Sequence, residues 1–319
     1  MADQSILSSR AVLGMYFEQL ESATMPAWID VVSNLFTSDQ ASETYPFLGF
    51  TPTMREWLGG RQPKALSANA VTIINKHFEA TLPIAIKDLR RDKTSQLQTR
   101  ISEFIGEGQR HWEDLLSDFI IAAPSTVCYD GQFFFDTDHL EGDSGTQSND
   151  LSVDISTLSA AVHGSVTDPS IEEMQQSILQ AIAAIMSFKD DRGRPRNSGA
   201  RNFMVMVGTP SLWNKAIAAT STMLNAAIAL NLNPNGLQGM TVTVELNPRL
   251  STWTDSFAVF RTDSPIKALI RQSELEPNIE ILGEGSDHAF KHKEILIGVD
   301  AWRNAGYGVW QNSCYVTMI

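Results

Sequence analysis

The residues able to do chemistry fall into a few short groups. Gly142-Asp143-Ser144-Gly145 is the local sequence of a serine nucleophile, and three histidines precede it. Acyl transfer there requires Ser144 as nucleophile, a histidine as general base and a buried carboxylate to orient that base. Asp136, Asp138 and His139, or His288 with His292, are spaced closely enough to share a metal ion. Neither set has the ligand spacing of an established metal motif, and a polar turn holding Asp287, His288 and His292 is by default solvated. The chain has no Walker phosphate loop and no dinucleotide glycine motif. Thr146 breaks the glycine-rich continuation expected after a serine nucleophile, so residues 141–149 read as an exposed acidic loop. The residues thus imply no catalytic site, no cofactor and no metal, with a serine hydrolase using Ser144 as the alternative.

The remaining composition agrees. The chain has 319 residues with 24 Lys and Arg against 37 Asp and Glu, a net charge of −13, which repels phosphate backbones. Hydrophobic residues make up 43% and charged residues 19%, the balance of a globular chain with length for a sizeable core. The longest apolar runs are far short of the roughly 20 residues needed to cross a bilayer. Met1 to Arg10 lacks the pattern of a signal peptide, so synthesis in the cytosol is expected. Cys128 and Cys314 are too few and too distant for a disulfide framework and read as small buried residues.

The element that must organise the chain is a helix from Thr94 to Ala123. Leu97, Ile101, Phe104, Ile105, Trp112, Leu115, Leu116, Phe119 and Ile120 recur at steps of three and four. Asp92 or Thr94 can cap its start, and Pro124 stops it. Thirty residues make a rod of about 45 Å. Gly106 and Gly108 each cost it up to about 1 kcal/mol, which tertiary packing must offset.

Around this rod the pattern alternates. Ser5 to Phe36 reads as two short helices broken near Pro26, and Ser38 to Arg61 as an irregular connector. Leu66 to Lys87 reads as a long hairpin turning at Asn75-Lys76, with Pro83 confining its second strand to an edge. An isolated hairpin is marginal in water, so it must rest on something, a neighbouring subunit being one candidate. Helices are expected from Asp168 to before Asp190 and from Thr209-Pro210 to about Leu230, with a buried strand at Phe203 to Val207 between them. Further strands follow at Thr241 to Leu246, Phe257 to Arg261, Ile266 to Arg271, Ile279 to Leu282, Glu294 to Trp302 and Val309 to Val316. The class is α+β.

The stretch from Gly298 to Gln311, GVDAWRNAGYGVWQ, closely resembles the end of the Mu-like major head subunit family of tailed-phage capsid proteins. In the same order along the chain come Trp57 to Arg61, Phe78-Glu79, Tyr129-Asp130-Gly131, Phe134-Phe135, His139, Gly193-Arg194-Pro195, Asn247-Pro248 and Pro265 to Ile270. The resemblance covers nearly the whole chain. It implies the HK97-type capsid fold: an N-terminal arm (1–61), an extended β loop (62–91), a peripheral domain with its spine helix (92–153 and 247–319) and an axial domain (154–246). It also implies a non-enzymatic major capsid protein that self-assembles as pentamers and hexamers into an icosahedral shell around double-stranded DNA, with scaffold, portal and decoration proteins as partners. An acidic shell wall leaves the packaged genome unadsorbed. Inter-subunit contacts are then expected at Trp57, Arg61, Ile73, Ile74, Ile84, Arg90 and Arg91. An unrelated oligomeric scaffold of the same class is the other alternative.

Overall fold

The computed structural model describes residues 14, 16, 25–46, 70–91, 96–229 and 239–319. Among them the helices are α1 (Ala27–Val32), α2 (Ile86–Arg91), α3 (Gln96–Ala122), α4 (Ile171–Ser187), α5 (Pro210–Ala229) and α6 (Asp287–His292). The strands are β1 (Ser33–Thr37), β2 (Ser42–Pro46), β3 (Ala70–Ile74), β4 (Lys76–Ala85), β5 (Asp150–Val153), β6 (Asn202–Val207), β7 (Thr241–Leu246), β8 (Ser256–Arg261), β9 (Leu269–Leu282), β10 (Glu294–Tyr307) and β11 (Ser313–Met318).

They form three sheets, in the orders β1-β9-β10-β4, β5-β11-β8-β6-β7 and β2-β3. The five-stranded sheet carries the larger core. Strand β6 is buried at five consecutive positions, as its unbroken apolar run requires of an interior strand. Helix α4 lies against this sheet with Met174, Ile178, Ala181, Ile182 and Ile185 inward. Its start is fixed by a capping box, Ser170 taking the Glu173 N–H while the Glu173 carboxylate takes the Ser170 N–H.

Helix α3 joins two cores. Ile101 and Ile105, in its first half, pack with Ile84, Ile279, Ile295 and Ile297 under the four-stranded sheet. Trp112, Leu116 and Ile120, in its second half, enter the larger core. Gly108 sits at the changeover, where a Cβ would lie 2.9 Å from Val299 Cγ1. The glycine is what lets the rod approach β10, and the Gly108 carbonyl accepts a 2.6 Å hydrogen bond from Arg303 Nη2. Gly106 has no such neighbour.

Four expectations change. Strands β3 and β4 do not pair with each other: β3 pairs with β2, and β4 with β10. A two-residue hairpin turn needs positive φ, and neither Asn75 nor Lys76 has it. Asn75 instead is buried as a pivot. Its N–H donates to Ala41 O (2.9 Å), its Nδ2 to Gln40 O (2.8 Å) and Glu274 Oε2 (3.0 Å), and its Oδ1 accepts from Gln272 Nε2 (2.7 Å). Pro83 does lie on an edge strand, β4.

Residues 33–37, expected to be helical, are strand β1, because Ser33 turns extended and the segment pairs in parallel with β9. The spacing of Val31, Val32, Leu35 and Phe36 mimics a helical stripe, yet Leu35 and Phe36 are exposed. The connector 38–61 contains β2, the rest of it lying outside the described residues. The two strands expected at 266–271 and 279–282 are one, β9, continuous through Pro277. Pairing with β1 stops at Ser273, so Pro277 lacks an amide hydrogen only where β9 has become an edge.

Candidate functional site

Residues 128–149 carry most of the candidate chemistry and are not an exposed loop. Glu141, Ser144 and Asn149 are buried, and the Asp143 N–H donates to Asp191 O at 2.8 Å, docking the segment on the turn after α4. Gly142 has φ of +51°, and a Cβ there would lie 2.5 Å from Asp191 O. The Ser144 hydroxyl donates to Gly145 O (2.8 Å) and accepts the Glu141 N–H (3.1 Å). The nearest histidine in sequence is committed elsewhere: His139 Nδ1 meets Asp130 Oδ2 at 2.7 Å and Nε2 meets Asn149 Oδ1 at 3.1 Å. The ring stacks on Trp310, 3.9 Å between centroids. Ser144 therefore works as a turn-closing hydroxyl, and among the described residues no histidine is bonded to it.

The acids expected to accompany His139 are turned away. Asp136 accepts the N–H groups of Phe133 (3.0 Å) and Thr137 (2.7 Å), and Asp138 is exposed. What gathers instead is Cys128, Asp130 and His139, whose ligand atoms all lie within 4.8 Å of one another. Burial raises the Asp130 carboxyl, but hydrogen bonds from His139 and Cys128 outweigh it and hold the group below its ordinary value. Burial, with the Asp130 charge adding to it, pushes the Cys128 thiol up. Cys128 fits the reading of a small buried residue, at 9% exposure in the larger core, and its thiol also donates to Asp130 Oδ1. Cys314 fits it too, at 0% exposure in the same core. His288 and His292 stand on α6 with ring centroids 4.6 Å apart.

The expected contact residues separate by burial. Ile73 is 3% exposed and packs with Ile270 and Val309 over Gly306, where a Cβ would lie 2.5 Å from Ile73 Cδ1. Ile84 is 3% exposed in the core beneath α3. Both face inward within this chain, because β3 is anchored on β10 through Asn304 Nδ2 to Ile74 O (2.8 Å) and β4 is a member of the four-stranded sheet. Ile74, by contrast, is 62% exposed. Arg90 and Arg91 end α2, while Trp57 and Arg61 lie outside the described residues, between β2 and β3. Strand pairing brings Pro46, the last described residue before them, beside Ala70, the first after them.

Two cations unremarked in the sequence brace the centre. Arg303, 1% exposed, donates from Nε to His111 Nδ1 (3.0 Å) and lies 4.8 Å from the Trp112 ring centroid. Arg271 lies 5.8 Å from the same ring and bonds Asp30 Oδ1 at 2.5 Å. Burial lowers Arg303 to about 10, and burial together with the Arg303 charge lowers His111 to about 4.

The likeness to known proteins follows this architecture. The Mu-like prophage FluMu major head subunit of Haemophilus influenzae is 31% identical over 131 residues, 41% of this chain and 42% of that protein. The major capsid protein of Escherichia phage Mu is 30% identical over 114 residues, 36% of this chain and 37% of that one. The matched stretches thus span about two fifths of these relatives' length. The procapsid of bacteriophage JBD30 superposes with a TM-score of 0.54 at 21% identity, covering 97% of this chain and 74% of that one, and the fold is of the HK97-like capsid type. A model of the Mu-like prophage major head subunit gpT family matches residues 9–160 and 233–317. Because that match takes in most of the chain, on both sides of the unmatched stretch 161–232, the chain belongs to the Mu-like major head subunit family.

Proposed function

We propose that the chain is the major capsid subunit of a Mu-like tailed phage or prophage, assembling with itself as pentamers and hexamers into an icosahedral shell around double-stranded DNA. The family match across most of the chain carries this reading, and the family is one of structural head subunits rather than enzymes. The net charge of −13 supports it, since an acidic wall repels the packaged genome. The subunit is made in the bacterial host cytoplasm and meets scaffold, portal and decoration proteins on the way to the virion.

Drawn by sheet membership, the peripheral region is the four-stranded sheet with α2 and the first half of α3. The axial region is the five-stranded sheet with α4 and α5, which brings β5, β8 and β11 into it. Residues 1–61 are the N-terminal arm, whose strand β1 adds to the edge of the four-stranded sheet. The neighbour is reached by the segment between β2 and β3, with Trp57, Arg61 and the exposed Ile74, and by Arg90 and Arg91; Ile73 and Ile84 serve this chain's own cores. Apolar anchors set beside arginines are a common composition for such contacts.

Negative-stain electron microscopy of the chain, expressed alone and with its adjoining genes, tests assembly: capsomers or closed shells are expected. Monomers under both conditions would overturn it. Replacing residues 49–66 with a short Gly-Ser linker should leave a folded subunit that forms no shells, and normal shells from that variant would remove the segment's contact role.

A further inference from the structure

The cluster at Cys128, Asp130 and His139 plays no part in the assembly reading, and its hydrogen bonds fix an unusual requirement. Asn149 is oriented by its own partners: Nδ2 donates to Phe134 O at 2.8 Å, and Oδ1 accepts the Asp136 N–H at 2.9 Å. Oδ1 therefore faces His139 Nε2 at 3.1 Å, and Nε2 must carry a hydrogen. That leaves Nδ1 directed at Asp130 Oδ2, 2.7 Å away, with the imidazole fully buried. A lone pair and a carboxylate oxygen so placed repel unless a cation lies between them. Cys128 Sγ stands on the other carboxylate oxygen, 3.0 Å from Oδ1.

Two protons satisfy this arrangement, one on sulfur and one on Nδ1. A single divalent ion can replace them with the same net charge, since thiolate and carboxylate together balance two positive charges and the imidazole is neutral, once Nδ1 and Oδ2 part from hydrogen-bond separation to the roughly 3.3 Å that two ligands of one tetrahedral ion require. The Nε2–H to Asn149 bond is then the outer hydrogen bond that metal-ligating histidines make to hold their ring and tautomer. A thiolate, an imidazole and one carboxylate suit zinc, whereas calcium and magnesium prefer all-oxygen sets.

We propose that Cys128, Asp130 and His139 bind one zinc ion, with the Phe133 carbonyl, 3.9 Å from Sγ, or a water as fourth ligand. Binding releases the thiol proton and the Nδ1 proton. The ion ties the start of the 128–149 segment to its middle, directly on the face of Trp310, and so braces the segment against the short turn that leads into β11.

The full chain, stripped with chelator and judged folded by far-ultraviolet circular dichroism, is titrated with Co2+ and, separately, with Zn2+ followed by gel filtration and elemental analysis. A thiolate-to-cobalt charge-transfer band and roughly one zinc per chain are expected. The band should persist in Cys314→Ser and in the His288→Gln/His292→Gln double variant, and vanish in Cys128→Ser. Folded wild-type chain with no band and no retained zinc would overturn the proposal, as would a band that follows Cys314. If Cys128→Ser does not fold, the wild-type and Cys314→Ser spectra still decide, since the chain has no third cysteine.

Discussion

Replacing His111 should make the subunit less sensitive to acid. The ring lines a cleft of about 220 Å³ between α3 and the four-stranded sheet, edge-on to Phe78 with centroids 4.4 Å apart and accepting a hydrogen bond from Arg303 Nε. Protonation would remove that acceptor and set a second positive charge beside Arg303. Burial and the Arg303 charge accordingly hold His111 at about 4, against an ordinary 6.5. In the unfolded chain the histidine takes its proton as pH falls through 6.5; in the folded chain it resists until about 4. The unfolded state thus binds more protons across this window, and the stability present above 6.5 is lost as pH falls toward 4. Between about pH 7.5 and pH 5 the full linkage is about 2 kcal/mol. The ring is partly exposed to the cleft, and solvent screening reduces this to about 1 kcal/mol. Urea unfolding of unassembled subunits at the two pH values gives the measurement. His111→Gln keeps a hydrogen-bond acceptor and cannot titrate, so its loss on acidification should be smaller than the wild type's by about 1 kcal/mol. Equal losses in both proteins would refute the reasoning, because all other titrating groups are common to them.

Other positions carry sharper expectations. Asn75→Ala should cost about 1–2 kcal/mol in urea unfolding at neutral pH, since the buried Gln272 amide loses its 2.7 Å acceptor and the Gln40 carbonyl loses its donor. Gly208→Ala would place a Cβ 1.9 Å from Leu250 O, a backbone atom with no rotamer to escape by, and soluble yield should collapse. Ser144→Ala should lower stability by about 1 kcal/mol through the lost turn bond. Wild-type protein should stay unlabelled by a fluorophosphonate probe, and labelling at Ser144 would revive the hydrolase.

Elements whose pattern is enforced by burial were legible in the sequence. The stripe from Leu97 to Ile120 marked α3 because both cores it enters demand a continuous apolar face, and Phe203 to Val207 marked a strand covered on both sides. Pairing was not legible. Nothing in Ala70 to Ala85 tells β3 to choose β2 and β4 to choose β10; that choice rests on Gln272, Glu274 and Asn304, some two hundred residues away. Strand β1 was hidden for the same reason, its partner being β9. In the candidate site, His139 could be singled out by type, but its companions could not. Asp136 and Asp138 were nearer in sequence, while the turn Val127 to Phe133 brings Asp130 and Cys128 to the ring.

The place of β11 bears on the timing of synthesis. It follows every other described strand in the chain yet lies inside its sheet, between β5 and β8. On a ribosome adding about 5–20 residues per second, β5 waits on the order of ten seconds or more for the strand that pairs with it. Strand β8 keeps an unpaired edge until the same moment. Nascent chains on one message therefore expose matching edges to each other throughout that interval, a hazard of edge-to-edge association. The sheet closes only when β11 takes its place between β5 and β8, and both exposed edges are covered in that one step.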